Sequence, residues 1–113
     1  MIGDVKNLDE IEKLHEMLEK ANIPHEYSDR FDGKFISYPQ HQNFICDACC
    51  FGGSYGYEAG LIEIMGLLTP EEYENDDVVG WLDAENVFNR IKDDWENRKE
   101  NKNVSIDSRK DNI

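Results

Sequence analysis

The stretch His25-Glu26-Tyr27-Ser28-Asp29-Arg30-Phe31-Asp32-Gly33-Lys34-Phe35-Ile36-Ser37-Tyr38 decides the reading of the fold. Asp32-Gly33 has the composition of a two-residue hairpin turn, because glycine accepts a positive φ and aspartate tolerates one. Pairing across that turn sets Tyr27 opposite Tyr38, Asp29 opposite Ile36 and Phe31 opposite Lys34. Tyr27, Phe31, Ile36 and Tyr38 then share one face, which calls for a helix to cover it. Pro39 ends the second strand.

The sequence before the hairpin supplies that helix. Residues 7–22 carry Leu8, Ile11, Leu14, Leu18 and Ala21 at helical spacing, the mark of an amphipathic helix. Asn7 with Glu10 reads as a capping box, and Asp9–Lys13 and Glu16–Lys20 are supporting i,i+4 pairs. Asn22 suits a left-handed exit, and Pro24 forbids continuation. Beyond the hairpin, residues 44–51 read as a third strand. Residues 61–68 read as a fourth, with a helical turn over 58–68 as the rival. Thr69-Pro70-Glu71-Glu72 is a compact helix start, ended by Asn75-Asp76-Asp77. Residues 78–82 are a brief extended piece. Asp83 then caps a last helix running to about Arg98, with Ala84, Val87, Phe88, Ile91 and Trp95 on one side. The predicted fold is α+β, an antiparallel sheet of about four strands with an N-terminal and a C-terminal helix on one face. Residues 1–95 form the single domain, and the polar, charged residues 96–113 are expected to be flexible.

The chain has 113 residues, 39% hydrophobic and 33% charged, with a formal net charge of −13. That length fits one domain with its own core. The charge opposes direct nucleic-acid binding, which needs lysine and arginine to displace phosphate counterions, and opposes anionic membranes. It permits a protein partner with a basic surface. The N-terminus has no basic region followed by an apolar run, and no apolar stretch approaches the ~20 residues of a membrane span. A cytoplasmic protein with reduced thiols is expected.

Cys46, Cys49 and Cys50 include a C-x2-C spacing, but no second pair completes a structural zinc site. On a strand Cys46 and Cys49 point to opposite faces, so packed core thiols are expected and no metal site. His15, His25 and His41 stand apart from any H-x-x-x-H pair or nucleophile, and no catalytic residue or cofactor is expected. The glycine-rich run Phe51-Gly52-Gly53-Ser54-Tyr55-Gly56-Tyr57-Glu58-Ala59-Gly60 lacks both the Walker A and the dinucleotide-binding patterns. Its plain reading is a flexible connection between strands. Its functional reading is a ligand-binding loop of Gly52, Gly53, Ser54, Tyr55, Gly56 and Tyr57, in which glycines admit close approach and tyrosines offer stacking faces. Acids crowd into residues 71–95. Helix dipoles account for some of them. The candidate partner-binding set is Glu71, Glu72, Glu74, Asp76, Asp77, Asp93 and Asp94, with a solvated face as the plain alternative.

Three segments carry a family likeness: Gly53-Ser54-Tyr55-Gly56-Tyr57-Glu58; Leu61-Ile62-Glu63-Ile64-Met65-Gly66-Leu67-Leu68-Thr69; and Val78-Val79-Gly80-Trp81-Leu82 followed by Ala84-Glu85-Asn86-Val87-Phe88. With the first helix and its Ile23-Pro24-His25-Glu26 exit, they resemble a family of small acidic proteins of phages and prophages of Gram-positive bacteria. The resemblance spans roughly residues 8–95. It brings no assigned activity and no defined site. It implies a protein that works in a host bacterial cell by binding rather than catalysis. The leading expectation is a non-enzymatic inhibitor of a defence-related, nucleic-acid-binding host protein, of anti-CRISPR type, met through the acidic surface. The alternative is a sponge for a small nucleotide signal, possible as a homo-oligomer, with Tyr55 and Tyr57 on the base, the amides of Gly52, Gly53 and Gly56 on phosphate, and Lys34 or Arg30 assisting. A small hydrolase ranks third.

Overall fold

The computed structural model describes residues 9–30 and 33–111, with 100–111 as backbone. The elements, in chain order, are α1 (Glu10–Lys20), β1 (Glu26–Arg30), β2 (Gly33–Tyr38), β3 (Cys46–Phe51), a 3-10 turn (Tyr57–Ala59), β4 (Ile62–Met65), α2 (Pro70–Asn75), β5 (Val78–Leu82) and α3 (Ala84–Asp111). The strands form one five-stranded sheet in the order β1-β2-β3-β4-β5, every neighbour antiparallel. The class is α+β, as the patterning predicts, with residues 78–82 added as a fifth strand.

The hairpin keeps the predicted face with a different register. Tyr27 pairs with Ile36, Asp29 with Lys34 and Arg30 with Gly33. The pairing is displaced by two residues from the predicted one, and side chains alternate with period two, so Tyr27, Ile36 and Tyr38 still share a face. The connection falls on Phe31 and Asp32, outside the described residues. Gly33 belongs to β2 itself and pairs with Phe51 on the other side. A Cβ at Gly33 would lie 2.3 Å from that of Phe51, so this glycine serves a close strand approach.

One sheet face is dry. Ile36, Tyr38, Cys46, Ala48, Cys50, Ile62 and Ile64 are buried there. α1 covers them with Ile11, Leu14 and Leu18, and α3 with Ala84, Val87 and Ile91. α1 starts at Asp9, whose carboxylate accepts from the Glu12 amide while Glu12 accepts from the Asp9 amide. The capping box is therefore shifted from the expected Asn7–Glu10 pair, and Asn7 lies outside the described residues. Glu10, thus freed, accepts from the Ala84 amide at 2.8 Å and ties the starts of α1 and α3 together. Asn22 takes φ 58° at the exit of α1, as its side chain permits. Asp83 caps α3 through the Asn86 amide, 2.8 Å. α3 continues to Asp111, past the predicted stop near Arg98. Lysine, arginine and glutamate sustain a helix without an apolar stripe. No described helix is long and apolar enough to cross a membrane.

Two ion-paired contacts lock the cover. The Tyr38 hydroxyl donates to Asp94 at 2.7 Å, and Arg98 donates to the same carboxylate oxygen at 2.6 Å. Burial, and then the bond to Asp94, pushes the Tyr38 hydroxyl well above its ordinary value. Arg90 of α3 holds Glu72 of α2 through both guanidinium nitrogens, 2.8 and 2.9 Å, and also donates to the Leu67 carbonyl. Glu72 also closes the Thr69 capping box. The Arg90 guanidinium, and then the Thr69 amide, hold the Glu72 carboxyl at about 2, below its ordinary 4.5.

A carboxyl depressed in the folded state contributes stability above its unfolded pKa and loses it as pH falls through the folded one. Glu72→Gln should lower stability by about 1–2 kcal/mol at neutral pH. It should also remove part of the stability loss expected of the native chain between pH 4.5 and about 2. Urea unfolding at several pH values reads both; an unchanged acid limb in the variant would show that this carboxylate does not couple to folding.

Candidate functional site

The irregular point of the sheet organises its most elaborate surface. Ile62 pairs with Leu82 and Ile64 with Val79, so Gly80 and Trp81 together face the single residue Glu63. This is a β-bulge, a device that re-aims a side chain. Trp81 takes φ 61° there. A bulky aromatic in the left-handed region costs on the order of 1–3 kcal/mol, so the surrounding structure must impose it.

The loop from Phe51 to Gly60 is what imposes it. The Trp81 amide donates to the Tyr55 carbonyl at 3.3 Å. A Cβ at Gly80 would lie 2.1 Å from the Tyr55 Cβ, and one at Gly56 would lie 3.0 Å from the Trp81 nitrogen. Glu63, opposite the bulge, accepts from the Tyr55 amide at 2.8 Å. Inside the loop, the Ser54 hydroxyl accepts from the Phe51 amide and donates to the Phe51 carbonyl. The amides of Gly53 and Ser54 both donate to that carbonyl, and those of Tyr57, Ala59, Gly60 and Leu61 are likewise taken up within the loop. The Gly60 carbonyl then accepts from the Glu10 amide of α1. The glycine-rich run is thus a folded unit docked on β5, which corrects the reading of it as a flexible connection.

All six residues of the predicted ligand loop line one hollow of about 260 Å³, together with Glu58 and Trp81. Tyr55, Tyr57 and Trp81 are each about half exposed. Ser54 is buried and serves the loop's own hydrogen bonds. The hollow has an aromatic rim and a carboxylate. The phosphate role expected for the glycine amides meets two obstacles. The Gly53 amide is already bonded, and both Glu58, which lines the hollow, and Glu63, which holds the Tyr55 amide, are negative. Lys34 is drawn toward α1, 3.5 Å from Asp9 and 3.7 Å from Glu12. The side chain of Arg30 lies outside the described ones.

The predicted acidic set divides. Glu71, Glu74, Asp76 and Asp77 are exposed on and after α2, and Asp93 is exposed on α3. Glu72 and Asp94 are engaged by Arg90, Tyr38 and Arg98, as described above, so the structure gives them internal work. α2 packs beside β5, which carries Trp81, so the exposed acids of α2 and the aromatic hollow belong to the same edge of the sheet.

Sequence reasoning missed Trp81 as a site residue. Its signal was Gly80, a glycine inside an apolar strand, which marks a bulge or a close backbone approach. A second hollow, about 330 Å³, lies on the sheet face away from α1 and α3, lined by Glu26, Ser28, Phe35, Ser37, His41 and Asp47. Ser37 donates its hydroxyl to Asp47 at 3.0 Å, and Glu26 accepts the backbone amide of His41 at 2.8 Å. A serine nucleophile needs its proton directed at a base such as imidazole; this one is directed at a carboxylate. The cysteines follow the predicted alternation, with Cys46 and Cys50 buried and Cys49 half-buried on the other face. Burial pushes the thiols of Cys46 and Cys49 up to about 12, far from a nucleophilic thiolate.

No family model matches the chain, and neither does any curated protein or solved structure.

The bulge and loop form one unit through the close approach at Gly80. Gly80→Ala should then destabilise the chain by about 1–3 kcal/mol through overpacking against Tyr55. Amides of residues 53–61 should lose hydrogen-exchange protection before the core does. Native-like protection in the variant would show that the loop is not docked there.

Proposed function

We propose that this chain is a non-enzymatic binding protein that takes a basic segment of a partner protein, seating a cationic side chain in the hollow of Tyr55, Tyr57, Trp81 and Glu58. The observation that carries this reading is the combination of three half-exposed aromatic rings with a carboxylate on a pre-organised, strained scaffold. Aromatic faces attract arginine, lysine and quaternary ammonium groups by about 0.5–2 kcal/mol each. A loop most of whose amides are already bonded loses little entropy on binding. The exposed Glu71, Glu74, Asp76 and Asp77 would steer a basic partner toward the same edge and set the salt dependence of its association.

The family resemblance gives this reading its biological form: a phage-encoded inhibitor acting in the host cytoplasm on a defence protein. Nucleic-acid-binding proteins present basic surfaces, and an acidic, aromatic edge complements such a surface. The nucleotide-sponge reading is less favoured, because the charged side chain lining the hollow, Glu58, is a carboxylate rather than a cation.

Calorimetric titration with short arginine-rich and lysine-rich peptides tests the proposal, with glutamate-rich peptides and a cyclic dinucleotide as comparisons. Basic peptides should bind with an affinity that falls as salt rises, and the others should not. Equal binding of acidic peptides, or saturable binding of the nucleotide alone, would overturn it. Trp81→Asn separates binding from folding. Asparagine tolerates the left-handed conformation, so stability should hold or rise while peptide affinity drops by about tenfold. Neutralising Glu71, Glu74, Asp76 and Asp77 together should flatten the salt dependence with little change in stability, since exposed charges contribute little to it.

A further inference from the structure

The C-terminal end of α1 and the chain that leaves it bring three ligand-bearing side chains together, away from the loop and from the acidic edge. His15 and Glu19 are four residues apart and share one helix face. His25 returns to that face after Ile23 and Pro24. The Nδ1 of His15 lies 3.0 Å from the Nε2 of His25, and that Nε2 lies 3.5 Å from the Glu19 carboxylate. The three ligand atoms lie within 4.8 Å of one another.

The surroundings orient these groups. The His25 side chain is only 3% exposed. Its Nδ1 lies 2.8 Å from the Ile23 carbonyl. Nδ1 donates that bond, since a carbonyl can only accept, and this leaves Nε2 to face His15 and Glu19 as a lone pair. A backbone carbonyl behind a histidine is the usual outer support of a metal-binding imidazole. His15 is held in turn by Tyr27 of β1, whose ring stacks on it at 4.2 Å with a 12° interplanar angle. Both imidazoles are thus fixed by groups that do not compete for the inward-facing nitrogens.

We propose that His15, His25 and Glu19 form a binding site for a borderline divalent transition ion of the zinc class. Ligand atoms on a tetrahedral ion at ~2.1 Å lie about 3.4 Å apart. The two separations of 3.0 and 3.5 Å straddle that value, so small rotations admit the ion. Two imidazoles and one carboxylate suit zinc, cobalt or nickel rather than calcium or magnesium, which prefer oxygen cages. Glu19, 64% exposed, closes the site from the solvent side. Three protein ligands leave a fourth position for water or for a group from a partner. The site is local in sequence, and its ion would pin the exit of α1 to the start of β1.

The test uses the untagged full chain, stripped of metal, titrated with Zn(II) and then Co(II). One equivalent should bind. Co(II) should give visible ligand-field bands without the near-ultraviolet thiolate band that Cys46, Cys49 or Cys50 would produce. Proton resonances of His15 and His25 should shift while those of His41 do not. His15→Ala should weaken binding by at least about tenfold. Glu19→Gln, on an exposed side chain that leaves folding intact, should weaken it less, and Cys49→Ser should leave it unchanged. No binding with Zn(II) in large excess, a thiolate band, or undiminished affinity in both the His15 and Glu19 variants would overturn the site.

Discussion

Water must be kept from one face of a five-stranded sheet, and the rest of the molecule is arranged around that requirement. Ile36, Tyr38, Ala48, Ile62 and Ile64 cannot be covered by one helix of eleven residues. α1 and α3 therefore share the task, α1 leading into edge strand β1 and α3 following edge strand β5. Glu10 caps α3 from within α1, so the two covers are registered by a single carboxylate. Burying Tyr38 brings a hydroxyl into the dry layer, which explains why Asp94 of α3 is turned toward it, held in turn by the exposed Arg98. A buried polar group left unsatisfied would cost about 1–3 kcal/mol, comparable to a sizeable part of a small domain's stability.

The dry face was legible in the sequence because it depends on period alone. The alternation of Tyr27, Ile36 and Tyr38 survives a register error of two residues, whereas an error of one would have inverted it. Ile11, Leu14 and Leu18 identified α1 without needing its cap, and the Thr69–Glu72 and Asp83 caps were read correctly because their partners lie three residues away. What was not legible depends on contacts between distant segments. Gly33 was assigned to the turn because nothing local reveals its approach to Phe51. Residues 78–82 lacked the length and alternation of a strand, since the bulge at Gly80-Trp81 breaks the period. The end of α3 was placed too early because its last turns carry no apolar stripe to follow.

The same distinction governs the site. Tyr55 and Tyr57 could be picked out by composition, as aromatic residues among glycines. Trp81 joins them only because Gly80 lets the Tyr55 backbone come close. Glu72 and Asp94 looked like members of a charged surface, but α2 and α3 turn them toward Arg90, Tyr38 and Arg98. Each of these two acids is offset by an arginine already counted in the net charge of −13, so the pairs change where the remaining acids stand and not their total. Glu71, Glu74, Asp76 and Asp77 stay exposed on and after α2, at the edge of the sheet that carries Trp81.

The strain at Trp81 bears on why that edge exists. A left-handed tryptophan, half exposed, contributes little burial in return for its backbone cost. Glycine or asparagine at this position would suit the bulge better for stability alone. The hydrogen bond from its amide to Tyr55 needs only a backbone, and so does the packing of Gly56 against it. The indole is therefore the one part of this arrangement that the fold does not require. A large ring held outward at an energetic cost, beside two more rings and a carboxylate, is what the proposed binding role accounts for. The bulge, rather than the acidic composition, is the main support for the binding role proposed for this surface.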